Sequence, residues 1–218
     1  MAIGTIKVCY VTNRKELAAA GAEQTRLLLE KMESAANGGV DWIQIREKDL
    51  SGRELAALTA QALRRVRRSC RILVNDRLDV ALACGAGGAH LGESSLPVAE
   101  AKRLMREKVS GADFLVGASV HSLESAQAAT QAGADYLIFG PVYETPSKLA
   151  LGQPQGVERL GEICRGVSIP VLAIGGVTRQ NAQDCVQAGA SGIAAIRLLQ
   201  GAENAEQLVR ELRDRGFQ

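Results

Sequence analysis

Aromatic residues make up only 3% of the 218-residue chain, with a single tryptophan. Surfaces that stack nucleic-acid bases need such side chains, and a formal net charge of +2 supplies little pull toward phosphate polymers or lipid headgroups. Both absences argue against nucleic-acid and membrane partners and leave small molecules as the expected ligands. No apolar run approaches the ~20 residues of a membrane span. The opening segment MAIGTIKVCYV lacks the basic n-region and small-residue cleavage site of a secretory signal, so a cytoplasmic location is expected. The five cysteines, Cys9, Cys70, Cys84, Cys164 and Cys185, are odd in number, widely spaced and without a CxxC pair, and read as reduced packing residues. A catalytic thiol at Cys9 would need a histidine or basic partner that its surroundings in the sequence do not offer. Nor does any Pro/Ser-rich or charge-block linker interrupt the chain, so one domain over residues 1–218 is expected.

What the chain does have is a repeating alternation of short apolar runs and amphipathic helical stretches. The runs cover residues 7–12 (KVCYVT), 40–46 (VDWIQIR), 71–76 (RILVND), 89–92 (AHLG), 114–119 (FLVGAS), 136–141 (YLIFGP), 170–176 (PVLAIGG) and 192–197 (GIAAIR). Three joints repeat one helix-Gly-turn-strand pattern: NGGVDWIQI, QAGADYLIF and QAGASGIAA. Eight such units predict the α/β class and a (β/α)8 TIM barrel. The alternative is an open doubly wound sheet, which usually has fewer strands and often carries a Gly-rich phosphate turn after the first one. No such turn follows residues 7–12.

In a barrel the chemistry sits at the C-terminal strand ends, so polar residues there are the candidates. In QIREK, alternation places Gln44, Arg46 and Lys48 on one side, able to meet one anionic ligand, while Ile43 and Ile45 pack. The competing reading is a solvated strand end with ion pairs of Arg46 to Glu47 and Lys48 to Asp49. Asn75 and Asp76 close the third run. A carboxylate beside several cations suits Mg²⁺, and an Asx turn or helix cap is the alternative. Gly175 and Gly176 follow the seventh run, where barrels commonly bind phosphate through backbone N–H groups, although structural turn glycines look the same. Both histidines of the chain fall at strand ends. His90 reads as a packed or hydrogen-bonded core residue; His121 reads equally as a general acid or base and as a cap for the helix that follows.

Taken in order and spacing, QIREK (44–48), VND (74–76), HLGE (90–93), ASVH (118–121), GADYLIFGPVYETPSK (133–148) and AIGG (173–176) resemble the thiamine phosphate synthase family over nearly the whole chain. That family also contains thiazole tautomerases. The resemblance implies a transferase that joins an aminopyrimidine methyl diphosphate to a thiazole phosphate and releases pyrophosphate, with Mg²⁺ as cofactor. It implies that Gln44, Arg46, Lys48 and Asn75 hold the pyrimidine diphosphate, that Asp76 takes Mg²⁺, and that Ser119 and Lys148 contact the diphosphate from the far side. Thr145, Ser147, Gly175, Gly176, Ile196 and Arg197 would hold the thiazole phosphate. The chain departs from the synthase pattern at Ser95, where a second metal-binding aspartate belongs, and Glu93 is the nearest substitute. It departs again at Glu144 and Arg197, where the pattern has proline and serine. A tautomerase, using His121 for proton transfer, is the alternative activity, and a non-catalytic phosphate-ligand-binding regulator is the third. The oligomeric state stays open, a homo-oligomer included.

Overall fold

The computed structural model describes residues 6–17, 20–108, 113–145 and 153–215. Eight parallel strands follow one another around a closed barrel: β1 (Lys7–Val11), β2 (Trp42–Ile45), β3 (Arg71–Asn75), β4 (Gly88–Leu91), β5 (Leu115–Val120), β6 (Tyr136–Phe139), β7 (Val171–Ile174) and β8 (Gly192–Ala195). β1 pairs with β2 on one side and with β8 on the other, Lys7 opposite Gly192 and Tyr10 opposite Ala195, which closes the ring. The open-sheet alternative is thereby excluded. Most runs read from the sequence extend a residue or two past the observed strands, because their last residues leave the ladder to form the mouth.

Around the barrel lie α1 (Gly21–Asn37), α2 (Gly52–Arg65), α3 (Leu78–Cys84), α4 (Val98–Lys108), α5 (Leu123–Gln131), α6 (Gly156–Gly166), α7 (Ala182–Gln187), α8 (Arg197–Gln200) and α9 (Ala205–Arg215). α2 shows why such stretches are helical. Ser51 accepts from the backbone N–H of Glu54 while Glu54 reaches back to Ser51, and Leu55, Leu58, Thr59 and Ala62 recur at the spacing of one buried face. Among the described residues no helix is long and apolar enough to cross a membrane.

Strand alternation splits the core in two. The outward residues, among them Val8, Tyr10, Ile43, Ile45, Val74 and Phe139, pack against helix residues such as Leu28, Met32, Leu58 and Leu160. The inward ones, Cys9, Val11, Leu73, Tyr136, Ile138, Leu172 and Ala194, form a separate cluster inside the barrel. Full burial of each large apolar side chain contributes about 1.5–3 kcal/mol, so the larger outer layer carries most of the stabilisation. With few aromatics available, Trp42 and Tyr136 form a tilted pair in this inner cluster, centroids 4.7 Å apart.

The repeated joint is one backbone device used three times. Gly39, Gly133 and Gly189 have φ of +93°, +91° and +104°, a region open to glycine and strained for other residues. Two residues on, the N–H groups of Asp41, Asp135 and Ser191 donate to Val8, Val116 and Val171 of the preceding strand at 2.9, 2.8 and 2.8 Å. Each new strand thus starts in register beside the last. At this base of the barrel the Asp41 carboxylate accepts from the Val8 N–H at 2.9 Å, Lys7 at 3.2 Å and Arg213 of α9 at 3.0 Å.

Candidate active site

The C-terminal strand ends surround a cavity of about 570 Å³, within the range usual for small-molecule sites. Gln44, Arg46, Asn75, His90, Ser119 and His121 line it from β2 to β5; Glu144, Thr145, Gly175, Gly176, Ile196 and Arg197 line it from the second half. Lys48 and Asp76 are not in its wall, and the structure brings them to each other with Lys48 Nζ 4.0 Å from Asp76 Oδ2. Ser147 and Lys148 lie outside the described residues.

Asp76 governs the first wall. Its φ of +60° is the left-handed region, where aspartate is better tolerated than most side chains. The backbone there is held by a 2.8 Å bond from the Asp76 N–H to the His90 carbonyl. Oδ1 accepts from the Gly92 N–H at 3.0 Å and from the Ser95 hydroxyl, and Oδ2 accepts from Asn75 Nδ2 at 2.7 Å. Burial alone would oppose ionisation. The bonds from Ser95, Gly92 and Asn75, with the Lys48 charge, outweigh it and hold the carboxyl below its ordinary range. An ionised carboxylate only accepts, so Asn75 must turn its amide nitrogen to Asp76. Its Oδ1 then accepts from Gln44 Nε2 at 2.8 Å, leaving Gln44 Oε1 buried without a partner among the described residues. An acceptor orphaned at a cavity wall is a place for a ligand N–H.

Several sequence alternatives are corrected. Arg46 does not pair with Glu47, nor Lys48 with Asp49. Glu47 points away from the cavity, buried, and accepts from Thr12 Oγ1 at 2.6 Å and the Arg14 guanidinium at 3.0 Å, while Asp49 is held by Arg14 and Lys15. Asp76 does not cap α3, whose N-cap position is Arg77, which makes no side-chain capping bond. The cap of α5 is Ser122, reciprocated by Ser125, and not His121. Ser95 makes the contact with Asp76, whereas Glu93 is exposed and forms no hydrogen bond or ion pair among the described residues.

His90 is a buried, hydrogen-bonded histidine, as expected, with Nδ1 3.1 Å from Tyr136 Oη and Nε2 2.9 Å from Ser119 Oγ. Burial pulls its pKa down to about 4. His121 Nδ1 lies 2.6 Å from the Gly140 carbonyl oxygen. A carbonyl only accepts, so in neutral His121 Nδ1 carries the proton and Nε2 is left as a lone pair. Cys9 is fully buried inside the barrel, where burial pushes its thiol far up, so it is no nucleophile.

On the far side, Gly175 and Gly176 have φ of +94° and +66°, and a Cβ on Gly176 would collide with the Tyr143–Glu144 backbone. Glycine is therefore required, and the main chain is bare toward the cavity. Arg197 reaches in at the start of α8, its guanidinium 2.9 Å from Glu16 Oε1 and 3.5 Å from Thr145 Oγ1. Sequence reasoning missed Glu16, for which no local signal exists. It also missed Tyr136, which the period-2 alternation of β6 places inside the barrel with Ile138.

The barrel and its mouth define an α/β enzyme built to hold small anionic ligands between polar strand ends and a glycine loop. The comparisons narrow this class. The family model described as thiamine monophosphate synthase matches residues 8–199. The chain is 45% identical over 183 residues to a thiamine-phosphate synthase of Methanoculleus marisnigri, covering 83% of this chain and 84% of that one. It is 40% identical over 207 residues to one from a Roseiflexus species, covering 94% and 83%. The solved structure of a thiamine phosphate pyrophosphorylase from Pyrococcus furiosus superposes with a TM-score of 0.81 at 33% identity, covering 98% of this chain and 96% of that chain. The chain belongs to the thiamine monophosphate synthase family.

Proposed function

We propose that the chain is a thiamine-phosphate synthase, a transferase that couples an aminopyrimidine methyl diphosphate with a thiazole phosphate to give thiamine phosphate and pyrophosphate. The observation that carries the reading is the meeting in one cavity of Gln44, Arg46, Asn75 and Ser119 from one half of the barrel with Gly175, Gly176 and Arg197 from the other. The C–O bond to pyrophosphate ionises, the leaving group takes the electron pair, and the electron-rich aminopyrimidine carries the positive charge on its methylene. The thiazole nitrogen then forms the new C–N bond. No protein nucleophile is needed.

In this reading Gln44 Oε1 accepts from the ring's amine, and Arg46, Lys48, Ser119 and Lys148 meet the diphosphate as its charge grows. Thr145, Ser147, the amides near Gly175, Gly176 and Ile196, and Arg197 hold the thiazole phosphate. Mg²⁺ fits Asp76, an ionised carboxylate whose close partners are all neutral, with the Ser95 hydroxyl beside it; this ion usually takes one or two carboxylates and completes its shell with phosphate oxygens and water. When bound it would neutralise charge on the departing pyrophosphate. Among the described residues no group of three or more His, Cys, Asp or Glu side chains forms a ready-made metal site, and exposed Glu93 is left out of the set. A cytoplasmic location and a single domain over residues 1–218 belong to the same proposal.

The second reading, a thiazole tautomerase, draws on His121, whose Nε2 lone pair is free to act as a base in a residue that lines the cavity. One assay separates the two: purified protein is mixed with both phosphorylated substrates and Mg²⁺, and separately with a thiazole carboxylate phosphate. Thiamine phosphate with stoichiometric pyrophosphate is expected. Isomerised thiazole without coupling would move the chain to the tautomerases, and no turnover in either mixture would leave a non-catalytic binder.

A further inference from the structure

Behind Ser119 lies a hydrogen-bonded chain that is almost wholly buried. Tyr136 crosses the barrel interior from β6, in space that exists because residue 117 on β5 is glycine; a Cβ there would run into the tyrosine ring. The Tyr136 hydroxyl meets His90 Nδ1 at 3.1 Å and has no other hydrogen-bond partner among the described residues, and His90 Nε2 meets Ser119 Oγ at 2.9 Å. Tyr136 and His90 are each 1% exposed, whereas Ser119 is partly open and lines the cavity.

The two bonds can be arranged in two ways. In one, Tyr136 donates to Nδ1, Nε2–H donates to Ser119 Oγ, and the one hydrogen left over is that of Ser119, at the cavity wall. In the other, Nδ1–H donates to Tyr136, Ser119 donates to Nε2, and the phenol hydrogen is stranded in the core without an acceptor. A buried donor without a partner is the costlier outcome. Both groups are buried and, among the described residues, neither has a charged side chain as a hydrogen-bond partner, so the neutral arrangement is the one the core accommodates.

We propose that Tyr136 and His90 are positioning residues that orient the Ser119 hydroxyl as a hydrogen-bond donor to an anionic oxygen in the cavity. The inference rests on the synthase reading only for the identity of that oxygen, which would belong to the departing pyrophosphate. A serine left to itself is donor and acceptor by turns; here the acceptor side is filled from behind. Its hydrogen is already turned toward the place where negative charge develops.

Nitrogen-15 NMR of histidine-labelled protein at neutral pH tests the relay directly, with His121→Asn used for assignment. His90 should carry its proton on Nε2 and His121 on Nδ1, opposite tautomers in one molecule. A proton on Nδ1 of His90 overturns the proposal. Kinetics give the second readout. Tyr136→Phe keeps the ring and should lower kcat about tenfold with KM within about twofold. Tyr136→Phe combined with Ser119→Ala should be no slower than Ser119→Ala alone, and fully additive losses would count against the relay. If the protein turns over no substrate at all, the synthase reading falls while the nitrogen spectrum still decides the relay.

Discussion

Asp41 and Asp76 are both partly buried carboxylates at strand ends, with side chains 18% and 32% exposed, yet they sit at opposite ends of the barrel and are treated in opposite ways. At the base, Asp41 takes two protein cations, Lys7 and Arg213, at 3.2 and 3.0 Å. At the mouth, Asp76 is wrapped by neutral donors, with its nearest ammonium 4.0 Å away. One end neutralises its own charge and so fastens the first strands to the last helix. The other keeps an ionised group held by neutral donors, with no side-chain cation among the described residues closer than Lys48 at 4.0 Å. Stability and chemistry are thereby separated along one axis, as barrels generally arrange them.

The comparison can be broken at either end. The largest effect is expected from Asp76→Asn, which keeps the shape but removes the charge: synthase turnover should fall on the order of a hundredfold or more, with little change in urea unfolding. Normal turnover in that variant would leave the open carboxylate without a task. Next comes Asp41→Asn, expected to cost about 2 kcal/mol in the same unfolding experiment, because it leaves the Arg213 and Lys7 charges uncompensated, with kcat unchanged. A loss of activity there, without loss of stability, would erase the division between the ends. The smallest effect sharpens the contrast. Ser95→Asp would set a second carboxylate against Asp76 and should raise affinity for Mg²⁺ alone, measured by calorimetry without substrate, by about tenfold. Unchanged affinity would mean that Asp76 is not where the ion binds.

Much of this was legible in the sequence because the barrel repeats a simple unit. Apolar runs marked all eight strands, and the NGG and QAG joints marked the starts of β2, β6 and β8. Gln44, Arg46, Asn75, Ser119 and Gly176 could be found from strand-end position alone. Polarity could not. The direction in which Gln44 and Asn75 point follows from Asp76, whose left-handed backbone no residue pattern announces. The partner of Glu47 is Arg14, on a loop that topology brings near from another strand. In the run RILVN the three central residues are all apolar, so hydrophobicity alone does not separate inward Leu73 from outward Ile72 and Val74. His121 was ambiguous because a cap and a base occupy the same place in the chain, and only the Ser122–Ser125 pair decides that the cap is elsewhere.

Ring closure also sets an order of events in folding. The ladder of β1 is completed by β8, residues 7–10 against 192–195, so the first strand made is the last to gain its second neighbour. Contacts this distant in sequence demand that loop entropy be overcome before they give anything back, which slows folding. During synthesis the open flank of β1 must wait for nearly the whole chain, and an unpaired strand edge is a site of misassociation. The pocket shares that fate. Its Val11 wall and its Arg197 wall meet only across the final seam, so a ligand that binds both would report on closure itself rather than on the growth of the sheet.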